Sequence, residues 1–167
     1  MLKKKNIILV AAAAGVVIVV ALLIWSAKPA APQVTFVSLK GEKITTADLR
    51  GKVVLVNFWA TDCVVCVREM PQIQSTYEKY RPLGLETIAV AMKYDPPNYV
   101  LAYNEKNRLP FTVALDPMGE LARAFGDVKL TPTTFVIDRQ GRIVTRIVGE
   151  PDFARLHALL EEKLRES

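Results

Sequence analysis

The chain has 167 residues, 51% of them hydrophobic, and a formal net charge of +5. Three of its 22 basic residues are Lys3, Lys4 and Lys5, while all 17 acidic residues follow position 28, so the remainder is close to neutral. That balance, with no basic stripe interleaved with aromatics, argues against nucleic acid as a partner, and the roughly 140 residues after Lys28 suit one well-cored domain rather than two.

Asn6 to Trp25 is apolar apart from Asn6 and Gly15. As a helix, about 20 such residues span roughly 30 Å, one hydrocarbon core. Trp25 falls where an interfacial aromatic sits, and the three lysines favour a cytoplasmic N-terminus. The expectation is a basic cytoplasmic N-terminus over 1–5 and a single transmembrane anchor over 6–26. The domain then lies on the periplasmic side of a bacterial cytoplasmic membrane. A cleaved signal peptide is the competing reading, but its apolar core is shorter, roughly 7–15 residues. Lys28 and Pro29 also interrupt the small residues from Ala27 to Ala31. Either reading puts the domain in an oxidising space. Residues 27–33, AKPAAPQ, read as a Pro/Ala linker that cannot be helical throughout.

The domain is expected over 34–167. Val34 to Leu39 and Lys43 to Thr45 suggest a small hairpin, and Thr46 to Arg50 a helical turn closed by Gly51. Lys52 to Trp59 is a nearly continuous, valine-rich run, the pattern of a strand buried on both faces. From Cys63 to about Tyr80, Val67, Met70, Ile73, Tyr77 and Tyr80 recur at helical spacing, with a kink expected at Pro71. Leu85 to Met92 is a second buried strand. A helix over Asn98 to Asn107, a strand over Phe111 to Leu115 and a short helix over Gly119 to Phe125 follow. Thr133 to Ile137 and Arg142 to Val148 read as strands joined by a turn with Gly141. Asp152 caps a final helix to about Arg165. Helices must then cover both faces of a mixed central sheet.

Cys63 and Cys66 are the only cysteines. They stand where a strand ends and a helix begins. A thiol at a helix N-terminus is favoured as thiolate by the free N–H groups and the macrodipole. Cys63 would attack a partner disulfide and Cys66 would resolve the mixed disulfide. A purely structural disulfide would close a very short loop, where stabilisation is smallest. A metal site wants about four ligands, and the one histidine, His157, lies far along the chain as a packing or surface residue.

Phe58-Trp59-Ala60-Thr61 before Cys63-Val64-Val65-Cys66, with Pro71 after them and Thr131-Pro132-Thr133-Thr134-Phe135 downstream, resembles the thioredoxin superfamily. More closely, it resembles the membrane-anchored TlpA/ResA-like (CcmG-type) thiol–disulfide oxidoreductases over roughly residues 34–165. The resemblance implies a thioredoxin-like fold with a leading hairpin and a helix–strand insertion, here Pro96 to Leu115. It implies a cis proline at Pro132 facing the cysteines, with Thr131 offering its backbone to substrate and Trp59 in the substrate-contacting set. Glu69 matches a glutamate beside the cysteines in that branch and is the candidate proton acceptor for Cys66. Asn57 stands where thioredoxins proper carry a buried acid. No cofactor beyond the cysteine pair is implied. The partners implied are protein disulfides, of the cytochrome c or oxidase assembly type, and a membrane thiol donor of electrons.

Two positions depart from the family. Asp62 replaces a second tryptophan, and a carboxylate there disfavours the Cys63 thiolate. Val64-Val65 supply no charge and two stiff side chains. With Asn57 they form the expected redox-tuning set. The same residues could serve a dithiol oxidase. A copper-delivery protein for oxidase assembly would want a wider cysteine spacing and a histidine from a later loop. A peroxiredoxin-type peroxidase would want Thr or Ser three residues before its cysteine, where Ala60 and Cys63 stand.

Overall fold

The structure is a computed structural model that describes residues 29–166. The expected anchor over 6–26 lies outside the described residues; among the described residues no helix is long and apolar enough to cross a membrane.

Two strands, β1 (Thr35–Val37) and β2 (Lys43–Thr45), form an antiparallel hairpin. The central sheet contains β3 (Val53–Trp59), β4 (Leu85–Ala91), β5 (Thr112–Leu115), β6 (Thr133–Ile137) and β7 (Ile143–Val148), in the order β5-β4-β3-β6-β7. β3, β4 and β5 run parallel, and β6 and β7 run antiparallel to their neighbours. The helices are α1 (Val64–Tyr80), α2 (Pro97–Asn107), α3 (Glu120–Ala124) and α4 (Phe153–Arg165). This is the thioredoxin-like α/β arrangement, with the mixed sheet, leading hairpin and helix–strand insertion that the sequence suggests.

The strand period of two divides β3 between two cores. Val53, Leu55 and Trp59 pack with Ile73, Tyr77 and Tyr80 of α1 and with Leu156 and Leu160 of α4. Val54, Val56 and Phe58 pack with Phe36 of the hairpin, Leu121 of α3, Phe125 and Phe135. All seven β3 residues are buried, which explains its unbroken apolar run. Both faces are covered, but the second face is closed by the hairpin and the short α3 rather than by a long helix.

Local details differ from expectation. α1 is continuous through Pro71. Pro71 and Val67 are both exposed, so the carbonyl that loses its helical donor lies on the wet side, where water serves it. Thr46 to Arg50 forms successive hydrogen-bonded turns instead of a helical turn. The linker is not free over its described part: the Ile143 N–H donates to Pro29 O at 2.8 Å and the Ala31 N–H donates to Gly141 O at 2.9 Å. Ala31 is buried, and Pro32 O accepts from Thr46 Oγ1 at 2.8 Å. The chain therefore joins the domain beside the β6–β7 turn, at the sheet end opposite the one from which Cys63 projects.

Candidate active site

β3 ends at Trp59 and α1 begins at Val64, and the four residues between form the turn that carries Cys63. A turn closes from the Cys63 N–H to Ala60 O at 3.2 Å. Cys63 is the N-cap of α1, and its sulfur accepts from the Cys66 N–H at 3.2 Å. The helix thus points a free backbone donor at the Cys63 sulfur, the contact that favours a thiolate there. Cys63 and Cys66 are joined as a disulfide. Cys63 is partly exposed and Cys66 is fully buried, so a partner can reach only the first sulfur directly.

Glu69 lies one turn beyond Cys66 on the same face of α1, the spacing at which helical side chains are neighbours. It is fully buried, contrary to the surface position ordinary for a helical glutamate. The Asn57 Nδ2 group donates to Glu69 Oε1 at 3.0 Å and to Thr134 Oγ1 at 3.0 Å. Asn57 and Thr134 are paired in register across β3 and β6, so the sheet holds the amide that holds the acid. Among the described residues, Glu69 Oε2 and Asn57 Oδ1 have no hydrogen-bond partner. Burial is the main cause that pushes the Glu69 carboxyl up to about 7; Glu150 adds to the rise, and the Asn57 bond and Arg68 oppose it. Arg68 and Glu150 form an ion pair above this site at 2.5 Å.

The opposite wall is the turn before β6. The Thr131–Pro132 peptide bond is cis. Thr133 pairs with Phe58, so this turn stands beside the end of β3 that carries the cysteines. Pro132 O accepts from the Gly149 N–H at 2.8 Å. Among the described residues, the Thr131 N–H and C=O have no partner, which leaves both open to an extended chain. The Thr131 hydroxyl meets Tyr94 Oη at 3.2 Å.

Trp59 corrects the expected substrate-contacting set. Its indole is fully buried and packs on Tyr103 of α2 with ring centroids 5.0 Å apart, so it supports the site from beneath and offers no face to substrate. Asp62 is exposed, and with Cys63 as the N-cap it does not cap the helix. Val64 is 77% exposed beside Cys63, an apolar side chain held in water, while Val65 is half-buried. His157 donates to or accepts from Thr76 Oγ1 at 2.8 Å and packs edge-on to Tyr80, so its ring is committed to the α1–α4 contact. Among the described residues, no group of three or more His, Cys, Asp or Glu could hold a metal ion.

Two features escaped the sequence reading. Asp95 is buried and accepts from the Thr61 N–H at 2.6 Å and from Thr61 Oγ1 at 2.5 Å. Glu150, from the loop after β7, reaches Arg68 on α1. Both contacts join residues far apart in the chain, and neither carries a local pattern.

A partly exposed N-cap cysteine, a buried second cysteine and a cis proline beside them define a thioredoxin-like protein that exchanges thiols and disulfides. The Redoxin family model matches residues 26–160, and the chain belongs to that family, in the TlpA/ResA-like branch of the thioredoxin superfamily. It is 37% identical over 139 residues to the thiol-disulfide oxidoreductase ResA of Bacillus thuringiensis subsp. konkukian, covering 79% of this chain and 75% of that one. Identity to ResA of Bacillus subtilis is 32% over 130 residues, covering 76% and 70%. A crystal structure of a thiol:disulfide interchange protein from Chlorobium tepidum superposes with a TM-score of 0.76 at 28% identity, covering 83% of this chain and 98% of that one. The chain is a thiol–disulfide oxidoreductase with Cys63 and Cys66 as its redox pair.

Proposed function

We propose that this oxidoreductase works as a disulfide reductase outside the cytoplasm, tethered to the membrane through residues 6–26. The reading is carried by the placement of Glu69, a buried acid titrating near neutrality one helical turn from the buried Cys66. In the reduced protein, the Cys63 thiolate attacks one sulfur of a partner disulfide. A Cys63–partner disulfide forms and the first partner thiolate leaves. Cys66 then gives its proton to Glu69 and attacks the Cys63 sulfur. The internal disulfide forms, the second partner thiolate leaves, and two electrons have passed to the partner. A membrane dithiol donor would return the pair to the reduced state.

The direction rests on the surroundings of Cys63. Strong oxidants owe their potential to a stabilised reduced form. Here Asp62 sets a negative charge next to Cys63, and Val64-Val65 add no donor, so little beyond the helix N-terminus favours the thiolate. Partners of the cytochrome c or oxidase assembly type fit this reading: they present pairs of cysteines outside the cytoplasm that must be reduced before a haem or a metal is loaded. Two measurements test it. A Cys66→Ala variant in its native membrane should hold a protein partner as a mixed disulfide on Cys63, and an empty trap defeats the claim of a protein substrate. The Cys63–Cys66 couple should be reducing; a value near about −120 mV, the range of strong oxidants, defeats the reductase direction.

A further inference from the structure

Asp95 spends both of its carboxylate oxygens on one residue of the active-site turn, Thr61. It is buried, at 5% exposure, at the end of the turn that follows β4, where its own N–H donates to Met92 O at 2.9 Å. Oδ2 takes the Thr61 N–H and Oδ1 takes the Thr61 hydroxyl. Thr61 is the second residue of the turn whose fourth residue is Cys63, and that turn is otherwise closed by one bond, from the Cys63 N–H to Ala60 O at 3.2 Å. The strand ends beneath are also tied, since the Met92 N–H donates to Trp59 O at 3.0 Å. On the other side of the same loop, Tyr94 Oη meets the Thr131 hydroxyl at 3.2 Å. One loop therefore touches both walls of the site.

We propose that Asp95 is a positioning residue for thiol–disulfide exchange: its buried carboxylate grips Thr61 at two atoms and thereby fixes where the Cys63 sulfur stands. Attack on a disulfide sulfur is directional, and misplacement of a reacting atom by an ångström is costly. The step most exposed to such error is ring closure. Cys66 attacks the Cys63 sulfur of a mixed disulfide, the Cys63–partner S–S bond breaks, and the partner leaves as thiolate. Cys66 is fixed within α1, whereas Cys63, at its N-cap, is held by the helix on one side and by the turn on the other, so a slack turn spoils their alignment. This inference rests on the exchange activity alone and is independent of the direction and location proposed above.

The test uses the reduced full chain and dithiobis(nitrobenzoate) as the disulfide. The first nitrothiobenzoate released reports attack by Cys63, and the second reports ring closure by Cys66. Asp95→Ala should slow ring closure by about tenfold, the factor equal to one net hydrogen bond. Asp95→Asn keeps an acceptor for the Thr61 N–H and can donate to the Thr61 hydroxyl, so it should stay within about threefold of the wild type, less than one hydrogen bond. Ring closure in Asp95→Ala at the wild-type rate overturns the proposal. So does an Asp95→Asn variant as slow as Asp95→Ala, because charge and not geometry would then be the cause. If Asp95→Ala does not fold, Thr61→Val decides: loss of the hydroxyl bond alone should slow closure by about threefold, part of one hydrogen bond, and no slowing overturns the proposal.

Discussion

Replacing Glu69 by Gln should change how stability responds to pH, and the size of the change follows from burial. The carboxyl is fully buried and its folded value is pushed from 4.5 to about 7, mainly by burial. Between those values the folded chain keeps a proton that the unfolded chain has released. Stability contributed by the protonated acid is whole below pH 4.5 and is lost as pH rises through about 7. Each pH unit inside that window costs up to about 1.4 kcal/mol, and integration from pH 5 to pH 8 gives a loss of about 2.5 kcal/mol. Glutamine has the same shape and can accept the Asn57 Nδ2–H bond, but it does not titrate. The difference in unfolding free energy between wild type and Glu69→Gln should therefore shift by about 2.5 kcal/mol in favour of the variant between these two pH values. Chemical denaturation of the oxidised proteins at both pH values measures it, with the thiols locked in the disulfide so that they do not titrate. Comparison with the variant also cancels the contributions of His157 and the other carboxylates. A difference that stays constant with pH would refute the buried-acid reasoning.

The same substitution should slow ring closure by Cys66 by roughly 100-fold, the lower end for a positioned general base, while the first attack by Cys63 is spared; stopped-flow release of the two nitrobenzoate thiolates separates the steps, and equal slowing of both would remove Glu69 from the resolving role. Trp59→Ala should cost about 3–5 kcal/mol, the range for deleting a fully buried aromatic, read by urea denaturation; a loss under about 1 kcal/mol, ordinary for a surface site, would contradict its burial against Tyr103. The His157 imidazole should titrate below its usual 6.5, because burial is the main cause lowering it, with Lys79 adding and Glu161 opposing. As pH falls below 6.5 the unfolded chain gains a proton that the folded chain resists, so wild type should lose stability relative to His157→Gln there, a difference in which the opposite contribution of Glu69 cancels. NMR titration of the single imidazole checks the value, and a midpoint at or above 6.5 would contradict the packing described for it.

Much of the fold was legible because its signals are local. The unbroken apolar run of β3 follows from burial on both faces, and the helical spacing of Met70, Ile73, Tyr77 and Tyr80 follows from one face of α1 meeting the sheet. The cysteine pair was legible because a strand–turn–helix junction carries it, and Pro132 because the Thr-Pro step follows it at the family's distance. The misreadings arose where a neighbour distant in sequence decides. Residues 29–33 look like spacer by composition, yet Pro29 and Ala31 pair with the β6–β7 turn. Trp59 looks like a contact surface by resemblance, yet α2 brings Tyr103 over it.

The sequence alone determined the chemistry available: two thiols at a helix start, an acid one turn further and a proline opposite. The tertiary structure decided how those groups behave. Glu69 titrates near neutrality only because the sheet and α1 close over it and leave one amide as its partner. The turn that delivers Cys63 is tied at Thr61 by Asp95, from another strand's end. Such effects depend on desolvation and on contacts across long stretches of chain, and neither quantity is written in residue spacing.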